Sequence, residues 1–141
     1  MPITEAKVVK VAAAVIVRKV ENTHQILIAK RPDHLHKGGY WEFPGGKIHP
    51  DESAIEALSR ELREEVSIEV DTQGCKFLFP IPWSYPEKKI ELHIFLVRQF
   101  AGEPFGCEGQ EVRWINSSDI TEYRFPEANE AVVRWVAENL V

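Results

Sequence analysis

The sequence predicts an α/β fold in which a mixed β-sheet is packed between helices. Two stretches rich in β-branched residues near the start of the chain are typical of paired strands. An amphipathic helix with clear start signals follows in the middle of the chain, and a second amphipathic helix lies near its end. Because 141 residues is an ordinary length for one domain, we expect residues 1–141 to form a single domain.

The predicted strands are short and bounded by turn residues. Val8–Val17 and Gln25–Ala29 flank a polar turn at Glu21–Thr23, which favours pairing of the two stretches. Prolines around Pro82 and Pro86 are expected to break the strand pattern further along the chain. Three more strands are predicted in the second half of the sequence: Cys75–Phe79, Ile90–Gln99 and Val112–Ile115.

The segment between the first strands and the central helix is predicted to be a loop. Residues 33–39 carry His34, His36 and paired glycines, a composition typical of a mobile loop. The next residues, Trp41–Gly46, include a proline and two glycines, which argue against a regular element. Such a backbone can approach a ligand closely, so we expect a ligand to bind to this segment.

Two helices are predicted from capping signals and apolar spacing. The first begins at Ser53, which forms a capping-box pattern with Glu56, and continues to about Val66. Its apolar residues recur at helical spacing: Ile55, Leu58, Leu62 and Val66. The second helix follows Pro126, and its apolar face comprises Ala128, Val132, Trp135, Val136 and Leu140.

The composition restricts the classes of partner. Twenty-two acidic and 17 basic residues give a formal net charge of −5, which disfavours nucleic acid polymers and anionic membranes. The apolar run at Ala12–Val17 is far too short to span a bilayer. Cys75 and Cys107 have no metal-binding spacing and are expected to be packing thiols in a reducing compartment. We therefore expect a cytoplasmic monomer that acts on a small molecule.

One flank of the central helix carries three glutamates at helical spacing, Glu61, Glu64 and Glu65. Like charges in this arrangement repel, and in an arbitrary sequence they would form a solvated face. Carboxylate oxygens are also the ligands that Mg²⁺ and Mn²⁺ prefer, whereas zinc favours histidine and cysteine. A magnesium site would allow an acidic protein to bind a polyphosphate, because the cation reverses the local charge.

Residues 46–68 resemble the signature of the Nudix hydrolases, G-x5-E-x7-R-E-U-x-E-E-x-G-U, in which U is aliphatic. The matching fixed positions are Gly46, Glu52, Arg60, Glu61, Glu64 and Glu65. Ser67 departs from the pattern, which has a glycine there, at a position suited to left-handed backbone geometry. The resemblance implies a Nudix-like α/β/α sandwich and hydrolysis of a nucleoside diphosphate linked to another group.

The resemblance also implies roles for single residues. It assigns the metal ligands to the Gly45 carbonyl, Glu61, Glu64, Glu65 and Glu108. Mg²⁺ is the expected cofactor, with Mn²⁺ able to substitute. Catalysis would involve Glu64, Arg60, which orients the acidic cluster, and Glu61, which is either the general base or a ligand of a second metal. Without the resemblance, Glu108 would be an ordinary surface glutamate.

A longer resemblance leads to the MutT-type branch of the family, which hydrolyses oxidised guanine nucleotides. The stretches that carry it are 41–48, 102–106, 108–110 and 125–130. In this resemblance Asn129 reads the base and Phe43 lines the base pocket. Gly46 is also expected to contact the substrate, and Arg31 and Lys47, which follow the second strand and the glycines, could bond phosphate oxygens. 8-Oxoguanine carries a hydrogen on N7, so one asparagine amide can pair with both N7–H and O6.

The expected reaction is hydrolysis of 8-oxo-dGTP to 8-oxo-dGMP and pyrophosphate, which removes an oxidised nucleotide from the pool used for DNA synthesis. A pyrimidine nucleotide pyrophosphatase acting on CTP or 5-methyl-dCTP is an alternative, because Trp41–Phe43 before the glycines also resembles those enzymes. A non-catalytic module that binds a damaged base is a further alternative, although such modules usually lack the acids. Asn129 could also be only a helix cap, and Phe43 only a core residue.

Overall fold

The computed structural model describes residues 8–35 and 37–141 of the protein. Residues 1–7, and His36 of the predicted loop, lie outside these ranges. The strands are β1 (Val8–Val20), β2 (Thr23–Lys30), β3 (Trp41–Glu42), β4 (Gly45–Lys47), β5 (Glu69–Val70), β6 (Lys76–Tyr85), β7 (Lys88–Val97), β8 (Phe100–Ala101) and β9 (Val112–Asn116). The helices are α1 (Ala54–Val66) and α2 (Glu130–Asn139), with short 3₁₀ helices at Thr72–Gly74, Ser117–Glu122 and Glu127–Asn129.

Strand β1 is the centre of a mixed sheet. Its first part, Val8–Ile16, runs parallel to β7, and its last part, Val17–Val20, runs antiparallel to β2. The path through the sheet is β3-β2-β1-β7-β6, with β4 paired to β1 and β9 paired to β2. Strands β5 and β8 form a separate antiparallel pair. The mixed sheet that the sequence predicts is confirmed.

The two faces of the sheet pack against different helices. Along β1, Val15 and Val17 belong to the core beneath α2, whereas Ala14 and Ile16 belong to the core beneath α1. Because both faces are covered, residues 12–17 are all buried. The buried helix residues include Leu58, Leu62 and Val66 of α1 and Val132 and Val136 of α2. These layers form the α/β/α sandwich implied by the resemblance.

Helix α1 starts as the capping pattern predicts. Its N-cap residue, Ser53, accepts a hydrogen bond from the Glu56 amide at 3.2 Å, and the Glu56 carboxylate accepts one from the Ser53 amide at 2.8 Å. This reciprocal pair satisfies two amide groups at the open end of the helix. The second predicted helix is also present, as α2. No helix in the described part of the chain is long and apolar enough to cross a membrane.

The glycine-containing segment before α1 is more regular than the sequence predicts. It holds β3 and β4, so the prediction of no regular element there is wrong. Gly45 and Gly46 pair with Ala13 and Ala12 of β1. The missing side chains permit this pairing, because a β-carbon on Gly45 would overlap the Ala12 carbonyl group. The glycines therefore bring a strand backbone close to β1.

Strand β6 continues through Pro80 and Pro82, so the predicted break around Pro82 is wrong. β6 lies at one end of the sheet path, where β7 is its neighbour. A proline has no amide hydrogen to donate. On an edge strand it is tolerated where the amide would point away from the partner strand, because no hydrogen bond within the sheet is lost there. The predicted turn near Pro86 is confirmed, because residues 86–87 connect β6 to β7.

Ser67 ends α1 in the left-handed conformation that the signature reserves for glycine, with φ 61° and ψ 36°. Its amide donates to the Arg63 carbonyl at 3.2 Å, and the Ile68 amide donates to the Leu62 carbonyl at 3.3 Å. These bonds close the end of the helix. A residue with a β-carbon is strained by about 1–2 kcal/mol in this conformation.

We therefore expect Ser67→Gly to stabilise the protein. Part of the strain relief is offset by the greater entropy of glycine in the unfolded chain, which leaves a gain of about 0.5–1 kcal/mol. Thermal unfolding followed by circular dichroism should show a midpoint raised by roughly 2–4 °C. Ser67→Ala is the control, since it keeps the β-carbon. Equal gains in both variants would show that backbone strain is not the cause.

Candidate active site

The acidic face of α1 lies beside the glycine strand. The Glu61 carboxylate rests against Gly46 of β4, and a β-carbon at position 46 would overlap it. Glycine is therefore what allows the carboxylate and the strand backbone to meet. The Glu61 side chain is 18% exposed, so it is partly shielded from water but still accessible to a small ligand.

Arg60 connects the carboxylates of α1 with the segment before it. Its guanidinium donates to Glu52 at 2.6 and 3.2 Å, to Glu61 at 2.8 Å and to Glu64 at 3.3 Å. It also donates to the Lys47 carbonyl at 2.9 Å. The bonds from Arg60, together with a hydrogen bond from the His49 amide, lower the pKa of the Glu52 carboxyl to about 2. Arg60 thus holds three carboxylates in place through charge-assisted hydrogen bonds.

Glu65 lies in the most crowded part of this acidic surface. Burial, together with the charges of Glu42, Glu61 and Glu108, raises the pKa of its carboxyl to about 8. A hydrogen bond from the Gly45 amide lowers the pKa but does not offset these effects. Repulsion among the carboxylates would be relieved by a cation, because a bound positive charge favours their ionised form.

Glu42 is a member of this cluster that the sequence reasoning missed. It lies in β3, and its carboxylate accepts a hydrogen bond from Arg31 at 2.7 Å. Burial raises the pKa of its carboxyl, Arg31 lowers it, and the charge of Glu108 raises it further. Glu42, Glu65 and Glu108 line one small pocket together with Gln110. The available signal was a lone acidic residue between two aromatic residues, three positions before Gly45.

The residues predicted to contact substrate lie in two places. Arg31 and Gly46 lie beside the acidic cluster, whereas the exposed Lys47 contributes its carbonyl to Arg60. Phe43 belongs to the core beneath α2, is 4% exposed and stacks on Phe125 with ring centroids 4.9 Å apart.

Asn129 occupies the N-cap position of α2, but its side chain makes no capping hydrogen bond. The amide of the preceding Ala128 donates to the Tyr85 hydroxyl at 3.3 Å, which ties this turn to the end of β6. The Asn129 side chain is half-buried. Its position in the helix therefore does not depend on its amide group, which stays available to a ligand.

A divalent cation fits the chemistry of the acidic cluster. The donors are carboxylate oxygens, which suit Mg²⁺ or Mn²⁺, and burial together with the charges of neighbouring carboxylates raises the pKa of Glu65. Within residues 8–35 and 37–141, no three acidic, histidine or cysteine side chains are already gathered into a closed cage. Water, backbone carbonyls and substrate phosphates would have to complete the coordination, as is usual for Mg²⁺.

The sequence profile of the NUDIX domain matches residues 12–135, which include the acidic helix, Glu42 and Glu108. The chain belongs to the NUDIX domain family. The fold and the family predicted from the signature are thereby confirmed. The roles of the individual site residues stay predictions.

Known Nudix relatives match most of the chain. The 8-oxo-dGTP diphosphatase of Buchnera aphidicola subsp. Acyrthosiphon pisum is 38% identical over 117 residues, covering 80% of this chain and 93% of that protein. The CTP pyrophosphohydrolase of Escherichia coli strain K12 is 37% identical over 123 residues, covering 87% of each chain. A MutT structure from work on Aliivibrio salmonicida and Vibrio cholerae has a TM-score of 0.79 at 39% identity, covering 94% of this chain and 98% of that chain.

The raised pKa of Glu65 predicts a pH-dependent stability when no cation is present. Between its ordinary value of 4.5 and about 8, the unfolded chain releases the proton that the folded protein keeps, so stability falls as pH rises through this range. The variant Glu65→Gln has no ionisable carboxyl at this position, so its stability should not fall for this reason. In EDTA its unfolding midpoint should equal that of the wild type near pH 5 and exceed it by roughly 3–6 °C at pH 8, since about 1–2 kcal/mol is involved.

Glu69→Gln is the matched control for this experiment. The Glu69 side chain is 64% exposed and pairs with Arg63 outside the cluster, so its removal should leave the pH dependence unchanged. A difference between Glu65→Gln and wild type that is constant from pH 5 to 8 would contradict the assignment to the Glu65 carboxyl.

Proposed function

We propose that this Nudix protein is a divalent-metal-dependent pyrophosphohydrolase that converts 8-oxo-dGTP to 8-oxo-dGMP and pyrophosphate. The observation that carries the proposal is the packing of the Glu61 carboxylate against Gly46 of the glycine strand, with Arg60 bonded to Glu61 at 2.8 Å. Similarity to the Buchnera 8-oxo-dGTP diphosphatase supports the choice of substrate. The reaction would remove the oxidised nucleotide before a polymerase could misinsert it and cause mutation.

We assign the metal ligands to Glu61, Glu64, Glu65, Glu108 and the Gly45 carbonyl, with Mg²⁺ as the cofactor and Mn²⁺ able to substitute. A cation bound there supplies charge neutralisation on the phosphates and a water that is acidic enough to react at neutral pH. Glu61 is either the general base that accepts a proton from the attacking water or a ligand of a second metal. Arg60 holds Glu61 through their 2.8 Å hydrogen bond and keeps it aimed at the glycine strand.

The triphosphate is assigned to the surface between the acidic cluster and the end of β2. Arg31 lies there, paired with Glu42 at 2.7 Å, and a guanidinium group is well suited to bind phosphate oxygens. Gly46 leaves the strand backbone open, and Lys47 places a flexible ammonium group at the end of β4. The bond that breaks lies between the α- and β-phosphates, which yields the monophosphate and pyrophosphate.

The base is assigned to a site near the start of α2. The Asn129 amide presents one acceptor and one donor, which match the N7–H and O6 of 8-oxoguanine. Ordinary guanine has a lone pair on N7, which would face the amide oxygen. Phe43, with its partner Phe125, would support the site from within the core.

Hydrolysis of CTP or 5-methyl-dCTP is the second candidate activity. The observation in its favour is the similarity to the E. coli CTP pyrophosphohydrolase, which covers 87% of this chain, compared with 80% for the Buchnera 8-oxo-dGTP diphosphatase. We further propose that the protein acts as a monomer in the cytoplasm, on free nucleotides. Its net charge of −5 disfavours polymeric nucleic acids and anionic membranes as partners.

A pyrophosphate-release assay with a magnesium titration tests the proposal. The full chain is assayed against 8-oxo-dGTP, dGTP, CTP and 5-methyl-dCTP, with EDTA as the metal-free control. We expect 8-oxo-dGTP to give the highest kcat/KM and EDTA to abolish turnover. A preference for the cytosine nucleotides would select the second candidate. Binding of 8-oxo-dGTP without hydrolysis at any magnesium concentration would indicate a binding module.

A further inference from the structure

The loop that carries Glu108 is bonded to the C-terminal end of α1. The Phe105 amide donates to the Val66 carbonyl at 3.1 Å, and the Cys107 amide donates to the Glu65 carbonyl at 3.0 Å. These carbonyls lie in the last turn of the helix, where no further helical residue can bond to them. The helix end therefore serves as the anchor of the loop.

Gln110 adds a second attachment through its side chain. Its amide nitrogen donates to the Glu65 carbonyl at 3.1 Å, and its amide oxygen accepts a hydrogen bond from the Glu108 backbone amide at 2.9 Å. The Glu65 carbonyl thus uses both of its lone pairs, one for Cys107 and one for Gln110. A single side chain links the backbone of Glu108 to the backbone of Glu65.

Two hydrogen bonds restrain the backbone around Glu108: its own amide donates to the Gln110 side chain at 2.9 Å, and the Gly109 amide donates to the Gly106 carbonyl at 3.0 Å. Glu108 is exposed, and Gly109 next to it has φ 82°, a conformation that glycine leaves easily. Without the side chain of Gln110, the loop would remain anchored at Phe105 and Cys107, and only the Gly106–Gly109 turn bond would still restrain the Glu108 backbone. Gln110 itself is half-buried and lines the same pocket as Glu65 and Glu108.

We propose that Gln110 is a positioning residue that holds Glu108 at the distance from Glu65 needed for both carboxylates to serve one divalent cation. The inference rests on the proposed function, because it takes Glu65 and Glu108 to be metal ligands. Side chains that orient metal ligands typically change metal affinity by 10- to 100-fold when they are removed. In this proposal Gln110 acts on the cation through its bond to the Glu108 amide and not as a ligand.

The test compares Gln110→Met and Gln110→Ala with wild type in the full-length protein. Methionine keeps the length and packing of glutamine but lacks both hydrogen-bonding groups, so it separates positioning from folding. Exposed Gln73, in the 3₁₀ helix at Thr72–Gly74, provides the matched control Gln73→Ala. Unfolding midpoints are measured in EDTA for every variant. Mn²⁺ affinity is measured by electron paramagnetic resonance, and amide hydrogen exchange is measured without metal.

We expect both Gln110 variants to bind Mn²⁺ about 10-fold more weakly than wild type. They should need correspondingly more Mg²⁺ for half-maximal turnover, but their kcat at saturating Mg²⁺ should change far less. The Glu108 amide should exchange about 10-fold faster, because its bond to Gln110 is lost, while the Cys107 amide stays protected. Gln73→Ala should match wild type in every measurement. Wild-type Mn²⁺ affinity in Gln110→Met would overturn the proposal.

A double variant determines whether the effect passes through Glu108. Glu108→Gln alone should weaken Mn²⁺ binding, and adding Gln110→Met to it should weaken binding no further. An additional loss in the double variant would overturn the assignment to Glu108. The hydrogen exchange result does not depend on catalysis, so the two failures can be told apart. Failure of the proposed function would be seen in wild-type protein that needs no metal for turnover. Failure of this inference would be seen in a Glu108 amide that stays protected from exchange in Gln110→Met.

Discussion

Glu61→Gln is expected to lower kcat for nucleotide hydrolysis by about 10²- to 10⁴-fold, the range observed when a general base is removed. The substitution keeps the shape of the side chain and an oxygen that can accept the 2.8 Å bond from Arg60. It removes the oxygen able to take a proton from water. Because the side chain rests against Gly46, a residue of the same size should leave the packing of β4 on α1 intact.

The two roles left open for Glu61 give different results in a magnesium titration. Loss of a general base lowers kcat at saturating Mg²⁺, while loss of a metal ligand also raises the Mg²⁺ concentration needed for half-maximal rate. Glu69→Gln, outside the cluster, should keep wild-type activity. Turnover of Glu61→Gln within twofold of wild type at every Mg²⁺ concentration would exclude Glu61 from the reaction.

Asn129→Ala is expected to remove the preference for the oxidised base. A site built around hydrogen bonds to its substrate can reject a mismatched analogue by about 10⁴- to 10⁵-fold, so the ratio of kcat/KM for 8-oxo-dGTP to that for dGTP should fall at least about 100-fold. Because the Asn129 side chain makes no capping bond, the substitution should cost little stability. Steady-state kinetics with both nucleotides measures the ratio.

Asn139→Ala is the matched control at the other end of α2. The Asn139 side chain is exposed and donates to the Trp135 carbonyl at 2.9 Å, so the variant removes an asparagine from the same helix without touching the proposed base site. It should keep the wild-type ratio. dATP is a useful third substrate, since adenine also offers asparagine a donor and an acceptor. An unchanged preference for 8-oxo-dGTP in Asn129→Ala would place base recognition elsewhere.

Local signals were sufficient for much of the fold. Helix α1 was predictable because Ser53 and Glu56 bond to each other across one helical turn, and its buried residues repeat at helical spacing. The β1–β2 pair was predictable because a polar turn joins two stretches rich in β-branched residues. Each of these features depends on residues close together in the chain.

The errors occurred where a residue's neighbours are distant in sequence. Pro82 lies inside β6 because β6 is at the end of the sheet path, which its local sequence does not specify. Gly45 forms part of a strand because it pairs with the backbone of β1, which leaves no room for a β-carbon at this position. Strand position and partner are decided by packing of the whole sheet, so local composition predicted turns or loops at both sites.

The sequence by itself determined the acidic helix and the family and predicted a metal site there, because the spacing of Glu61, Glu64 and Glu65 and the signature around them are local patterns. Only the tertiary structure decided that Glu42 joins the cluster and that Gln110 ties Glu108 to the end of the same helix. These residues come from separate strands and loops. Their charges and hydrogen bonds act over a few ångströms, so they interact only after the sheet has brought distant parts of the chain together.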